Sequence, residues 1–122
     1  MKTIEIIFEA YGEKHRARFF ESKYMNNKTL YVGVLTWDEE CQYWESWGDL
    51  TVNLPGTTSL DEREAFLDTN NCSKDLIVQL KKAGYIKETG ITRKSGFCTY
   101  PLVEFSEEFM KGLCNRDGSE IE

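Results

Sequence analysis

Apolar and polar residues alternate along much of the chain, which is the pattern of strands with one buried face. Thr3 to Ala10 and His15 to Tyr24 alternate on either side of a glycine-containing turn, and this predicts an antiparallel hairpin. Leu30 to Trp37 predicts a third strand. Its interior glycine, Gly33, indicates a bulge or a place where a packed ring approaches the backbone closely.

The segment from Gly48 to Pro55 is the one around which we expect the fold to be organised. Leu50 and Val52 alternate with Thr51, so the pattern predicts a strand with one buried face and one exposed face. Leu50 and Val52 lie on the buried face and Thr51 on the exposed one. Pro55 ends the strand because proline lacks the N–H that a continuing ladder needs.

Two helices are predicted in the second half. Ser73 is suited to the N-cap of the first and Gly84 to the position just after its end. Ser106 is suited to the N-cap of a short C-terminal helix. The run Ser59 to Glu62 matches a capping box, which predicts a helix or one helical turn.

The remaining segments predict two further strands and a loop. Ala65 to Asp68 is interpreted as a short strand after a turn, Tyr85 to Ser95 as a polar connection, and Phe97 to Phe105 as a late strand. The predicted fold class is α+β: a mainly antiparallel sheet of five or six strands with one packed helix and a short C-terminal helix. Residues 1–114 form a single domain, and the charged residues 115–122 are predicted to be a disordered tail.

Composition and charge exclude several classes of protein. The 122 residues are 40% hydrophobic and 30% charged, and no apolar run is long enough to cross a membrane. The N-terminus lacks the features of a signal peptide, so we expect a cytoplasmic protein. Residues 36–68 hold nine acidic residues against one arginine, within a net charge of −6. Nucleic-acid binding is not expected, because it requires clustered basic residues.

Few residues offer catalytic or metal-binding chemistry. The four cysteines stand at least 16 positions apart and His15 is the only histidine, so neither metal ligation nor a cofactor is expected. A dyad of Cys98 and His15 could be named only by elimination, and a buried structural cysteine is the simpler interpretation. No phosphate-binding glycine motif is present. The sequence therefore favours a non-enzymatic protein.

Aromatic residues and acids are concentrated in one predicted hairpin. Either these aromatic rings pack in the core, or some of them form an exposed partner-binding surface. Trp44 and Tyr43 point to opposite sides of a regular strand, so at least one ring is expected to face outward. The candidate partner-binding residues are Trp37, Tyr43, Trp44, Trp47, Asp38, Glu39 and Glu40.

Three pieces in this order carry a family resemblance: Asp49 to Pro55, Ala65 to Asn71 and Ser95 to Leu102. Together they resemble an uncharacterised domain-of-unknown-function family of small proteins from conjugative elements and phages of Gram-positive gut bacteria. The resemblance extends from about Leu30 to Phe105. It implies an accessory protein of mobile DNA, among which inhibitors of host defence are common, and it assigns no catalytic residue.

The function expected from these observations is that of a non-enzymatic accessory protein of a mobile element. Its acidic aromatic surface would bind a protein partner and could act against host defence. The alternative is a small-molecule-binding or weakly catalytic domain with a polar site near Asn53, Asp68, Asn70 and Cys98. A concave polar pocket would favour the alternative, and a flat aromatic face would favour the first interpretation.

Overall fold

The computed structural model describes residues 2–57 and 60–121. These residues form two four-stranded antiparallel sheets and two short helices. The first sheet has the order β1-β2-β3-β4 and the second the order β5-β6-β8-β7. The elements in chain order are β1 (Ile6–Ala10), β2 (Glu13–Lys23), β3 (Leu30–Asp38), β4 (Tyr43–Asp49), β5 (Thr51–Val52), β6 (Glu64–Leu67), α1 (Lys74–Lys82), β7 (Ile86–Ser95), β8 (Cys98–Phe105) and α2 (Glu107–Lys111).

The α+β class and the mainly antiparallel pairing are confirmed, whereas a single sheet of five or six strands is wrong. The chain leaves the first sheet and enters the second at Leu50, which is fully buried between β4 and β5. The Leu50 N–H donates to the Val32 carbonyl at 2.9 Å, and the Leu50 carbonyl accepts from the Asp68 N–H at 2.9 Å. One residue therefore links the two sheets through its backbone.

This crossing also makes the predicted face assignment wrong. Thr51 is 2% exposed, although the alternation placed it on the open face, and Val52 is only partly buried. The Thr51 hydroxyl accepts from the Val32 N–H at 3.2 Å and lies 3.0 Å from the Tyr24 hydroxyl. Thr51 is thus buried because its polar atom has partners in the first sheet.

The main core contains side chains from both sheets and both helices. Phe8 and Phe19 come from the first sheet, Phe105 from the second, and Phe109 from α2, and each is at most 1% exposed. The ring centres of Phe19 and Phe105 lie 5.2 Å and 5.0 Å from that of Phe109. The C-terminal helix therefore joins the two sheets through one aromatic cluster.

The two helices predicted from their caps are confirmed. The Ser73 hydroxyl accepts from the Leu76 N–H at 3.3 Å, and Gly84 has a φ of 77°, the left-handed conformation that glycine adopts at little cost. The Ser106 hydroxyl accepts from the Phe109 N–H at 3.1 Å and begins α2. Ser59 lies outside the described residues, so the capping box with Glu62 is not described.

Two predictions for the second sheet have opposite outcomes. The interpretation of residues 65–68 as a short strand is confirmed by β6. The interpretation of residues 85–95 as a polar connection is wrong, because β7 pairs with β8 along this segment. β7 is an edge strand whose residues are mostly exposed, so it lacks the apolar alternation that marks a half-buried strand.

No helix among the described residues has the length and apolar character needed to cross a membrane.

Candidate functional site

Trp37 and Trp44 lie side by side on the face of the first sheet that points away from the main core. They are directly opposite each other in the β3–β4 register, and their ring centres are 5.3 Å apart. The Arg16 guanidinium lies 5.6 Å from the centre of the Trp37 ring and 5.2 Å from that of Trp44. The Arg18 guanidinium lies 4.5 Å from the Trp44 ring centre. Both indoles are thus covered by cations of the same chain.

Glu5 holds the two arginines in place. Its carboxylate accepts from Arg16 Nε at 2.9 Å and from Arg18 Nη2 at 2.7 Å. Burial opposes ionisation of Glu5, but hydrogen bonds and attraction from Arg16 and Arg18 outweigh it and lower the pKa of this carboxyl. The arrangement is a charged layer over the tryptophans rather than a bare aromatic surface.

The C-terminal segment packs against Trp44 and the neighbouring side chains on this face. Cys114 is buried against the outer side chains Phe20 and Leu35, and its N–H donates to the Phe19 carbonyl at 2.8 Å. Gly118 lies against the Trp44 ring so closely that a Cβ there would collide with it. Residues 115–121, for which we predicted a disordered tail, form a hydrogen-bonded turn in the structure.

Two acids of the β3–β4 turn, Asp38 and Glu39, accept hydrogen bonds within the hairpin. The Asp38 carboxylate accepts from the N–H groups of Glu40 and Cys41 at 2.9 Å and 3.0 Å, and Glu39 accepts from Trp37 Nε1 at 2.7 Å. Tyr43 is 48% exposed. Of the predicted partner-binding rings, Tyr43 is therefore the most open to a partner at this end of the hairpin.

Trp47 points to the opposite side from Trp44. Val34 pairs with Gly48 and Leu35 pairs with Ser46, so Trp47 is an extra residue in the β4 ladder. Trp44 and Trp47 are three positions apart, so strand alternation places their side chains on opposite faces. The Trp47 ring centre lies 5.5 Å from that of Phe8 and 4.7 Å from that of His15. The structure therefore divides the four predicted aromatic residues between two surfaces.

A cleft opens beside Trp47, between the first sheet and the loop that connects β6 to α1. It has two adjoining parts of about 300 and 250 Å³, which share Trp47, Asn71 and Cys72. The larger part is lined by Val34, Trp47, Gly48, Asp49, Asp68, Asn71, Cys72 and Leu76. The smaller part is lined by Ala10, Tyr11, Trp47, Asn71, Cys72 and Ser73. Tyr11 is 93% exposed, and its ring centre is 6.1 Å from that of Trp47.

Asp68 is a buried carboxylate in the wall of this cleft. It is 8% exposed and accepts from the Asn71 N–H and side-chain amide at 3.1–3.3 Å. The Asn71 amide is neutral, so these hydrogen bonds supply no opposing charge. Asp49 also lines the cleft, and its carboxylate accepts from the Tyr31 hydroxyl at 2.5 Å.

Cys72 lies between these two acids. Its thiol donates to the Asp49 carbonyl at 3.1 Å. Burial, followed by the negative charges of Asp68 and Asp49, raises the pKa of the Cys72 thiol to about 12. The thiol is therefore protonated at neutral pH, and this is the opposite of what a cysteine nucleophile needs.

Of the four residues of the alternative polar site, only Asp68 lines the cleft. Asn53 exchanges hydrogen bonds with Asn26 and Asn27, at 2.8 Å and 2.9 Å. Asn70 is exposed in the turn after β6, and Cys98 begins β8. No hydrogen bond between described residues joins any two of the four proposed residues.

Sequence reasoning missed Asn71 and Cys72 as cleft residues. Asn71 and Asp68 belong to one motif piece and Asp49 to another, so the family pattern was the available signal. Nothing in the spacing of Cys72 distinguishes it from the other three cysteines, all of which are free. Within residues 2–57 and 60–121, no group of three or more histidine, cysteine or acidic residues could hold a metal ion.

Comparison with known families gives one match. The model of a domain of unknown function, DUF4313, matches residues 21–122. The chain belongs to the DUF4313 family. The match includes every residue that lines the larger part of the cleft, whereas Ala10 and Tyr11 of the smaller part precede it. No curated protein and no solved structure matches this DUF4313 chain significantly.

Proposed function

We propose that the protein is a non-enzymatic binding protein and that a protein partner docks at the cleft beside Trp47. The observation that carries this proposal is the cleft itself, which combines an aromatic wall with a buried carboxylate. Small-molecule sites are typically concave and mostly apolar, with a few polar groups that fix the orientation of the ligand. The concave cleft therefore also keeps the small-molecule alternative open, and in this proposal it holds one side chain of a protein partner. Asp68 and Asn71 would be those polar groups here.

The surface around Trp37 and Trp44 supports partner binding less well. Interface hot spots are aromatic residues that enter a partner's pocket and lose water on binding. Arg16, Arg18 and Gly118 already cover these two indoles. Asp38, Glu39, Glu40 and Tyr43 remain at the turn, where their charge would speed the approach of a basic partner.

The chemistry of the cleft supports binding rather than catalysis. Cys72 is its only thiol, and the raised pKa keeps that thiol neutral. The sole histidine, His15, packs its ring against Phe8 and Trp47, 5.4 Å and 4.7 Å between centres. Neither residue is arranged as a nucleophile with its base.

The biological setting is part of the same proposal. The resemblance in three motif pieces supports an accessory role on a conjugative element or phage, in the cytoplasm, with a component of host defence as one class of partner. An acidic protein of this kind would select partners with a basic surface.

Site-specific photo-crosslinking in the native host tests the docking site. Tyr11→p-benzoylphenylalanine places the probe at the exposed edge of the cleft, and Tyr43→p-benzoylphenylalanine places it on the hairpin. A third probe at Phe97, fully exposed in the β7–β8 turn, serves as the matched control. We expect one defined adduct from position 11 that is lost when Asn71→Arg fills the cleft. An adduct from position 43 that survives Asn71→Arg would overturn the proposal.

A small molecule is the second candidate occupant, because the larger part of the cleft, about 300 Å³, is at the lower limit of ordinary ligand sites. Native mass spectrometry of protein purified from its host distinguishes the two. A bound small mass that Asn71→Arg removes, together with no adduct from position 11, would favour this candidate.

A further inference from the structure

We infer that the cleft receives a single side-chain cation, the ammonium of a lysine or the guanidinium of an arginine from the partner protein. This inference rests on the proposed function and specifies the chemistry of the group that is bound. Three features of the cleft point to a cation: a buried acid without a counter-charge, an aromatic wall, and apolar side chains suited to an alkyl stem.

The buried acid is Asp68. A carboxylate removed from water is costly unless a cation or several strong hydrogen bonds compensate it. Asp68 is 8% exposed, and the hydrogen bonds to its oxygens come from the neutral Asn71. The three ion pairs among the described residues involve Glu5 and Glu88 and leave Asp68 without a cation. A partner's cation would supply the missing charge.

The electrostatic potential inside the cleft is negative, which favours a cation. Asp49 and Asp68 both act on the Cys72 thiol between them and disfavour its negative form. No lysine, arginine or histidine is among the residues that line either part of the cleft. An anionic group entering here would meet the Asp68 carboxylate and no basic side chain, with the charge of Asp49 nearby, so anionic ligands are disfavoured.

The remaining walls fit the rest of a long basic side chain. Trp47 lines both parts of the cleft, and tryptophan is the aromatic residue that attracts a cation most strongly. Val34 and Leu76 line the larger part. Lysine and arginine bury their methylene stems on such apolar side chains while the charged end remains solvated or paired.

The inference is tested by NMR titration of the full chain, observing the Trp47 indole N–H and the Asn71 and Cys72 amides. The probes are N-acetyl-lysine methylamide, the corresponding arginine derivative, and N-acetyl-norleucine methylamide as the neutral analogue. We expect saturable shifts in the cleft with lysine or arginine and at least about tenfold weaker binding with norleucine. Equal binding of norleucine would overturn the inference.

Two variants and a matched control assign the effect to Asp68. Asp68→Asn keeps one acceptor oxygen for the loop hydrogen bonds and removes the charge, and Asn71→Arg supplies an internal cation. Each is expected to weaken binding of the lysine probe at least about tenfold, whereas Glu21→Gln, at an exposed acid of β2 outside the cleft lining, leaves it unchanged. If Asp68→Asn misfolds, the inference is tested by Asn71→Arg alone. Unchanged binding of the lysine probe by Asn71→Arg would contradict the inference.

Recognition of the side chain alone is tested with n-butylamine, which is the lysine side chain without its backbone. It should compete with the lysine derivative for the cleft, and a failure to compete would contradict recognition of the side-chain cation. The crosslinking experiment does not depend on charge. Failure of the docking proposal can therefore be distinguished from failure of the inference that a cation binds. Crosslinks from position 11 without any binding of the lysine or arginine derivative would support the docking site and contradict the inference that it receives a cation.

Discussion

The guanidinium of Arg18 lies 4.5 Å from the centre of the Trp44 ring and pairs with Glu5 at 2.7 Å. Trp44 also packs against the backbone of Gly118, whose carbonyl accepts from Arg18 Nη1. A residue in this position supports the outer face of the sheet instead of projecting toward a partner.

Trp44→Ala is expected to destabilise the fold by about 2–3 kcal/mol, somewhat less than truncation of a fully buried aromatic residue. Urea unfolding followed by circular dichroism measures the change. Tyr43→Ala, one position away and half exposed, is the control and should cost about 0.5 kcal/mol or less. If Trp44→Ala left stability unchanged, the covered arrangement would be contradicted.

Thr51→Val is expected to cost about 1–3 kcal/mol, because it removes the hydroxyl that bonds to the Val32 N–H and leaves that donor buried. Val52→Ala should cost less, since Val52 is partly exposed. Equilibrium unfolding of both variants shows which substitution lowers the free energy of unfolding more. A larger loss from Val52→Ala would restore the simple alternation that the structure contradicts.

Gly33→Ala is expected to destabilise by about 1–3 kcal/mol, because the added methyl group would overlap the Phe20 ring. The double variant Phe20→Leu with Gly33→Ala should recover part of this loss, because leucine leaves room where the ring stood. A thermodynamic cycle of four proteins, the wild type, Gly33→Ala, Phe20→Leu and the double variant, measures the coupling. Strict additivity would show that the two residues do not collide.

The raised pKa of the Cys72 thiol is expected to lower the stability of the fold at alkaline pH. Its pKa is raised from 9.0 to about 12, first by burial and then by Asp68 and Asp49. Between these values the folded state holds a proton that the unfolded state has released. This contribution is complete below pH 9 and is lost as the pH rises toward 12. The slope stays below the roughly 1.4 kcal/mol per pH unit of one whole proton, because the thiol is partly exposed and solvent screens the acids.

Urea unfolding of the wild type and of Cys72→Ala between pH 8 and about pH 11 checks this loss. The slope of unfolding free energy against pH should be flatter in the variant, whatever its absolute stability. Identical slopes would mean that other groups, such as Tyr24 with its raised pKa, carry the whole effect.

Local features of the fold were predictable where one residue type determines the geometry. Ser73 and Gly84 mark the ends of α1 because their caps are local interactions. Gly33 was expected to admit a bulge or a packed ring. The structure has Phe20 against it and an irregular register one residue later.

The parts that failed depend on pairing between distant segments. The break at Leu50 separates β4 from β5, yet the apolar alternation continues through it because both sheets need buried residues there. β7 is recognisable only through its pairing with β8. No local pattern marks either feature.

The candidate site was predictable in its residue types but not in its geometry. Strand alternation already places Trp44 and Trp47 on opposite faces, whereas the bulge in β4 at Trp47 arises from the register of two strands and has no local signal. The sequence places Asp68 in the alternative polar site, and it does not single out Cys72. Their proximity depends on how the β6–α1 loop packs against the end of β4.

The most direct measurement of the central claim is the affinity of the partner recovered through position 11, determined by calorimetry against two variants. The account predicts that Asn71→Arg weakens binding at least about tenfold, or about 1.4 kcal/mol, while Tyr43→Ala changes it by less than about twofold. The reverse order, with Tyr43→Ala costly and Asn71→Arg neutral, would contradict the cleft as the binding site.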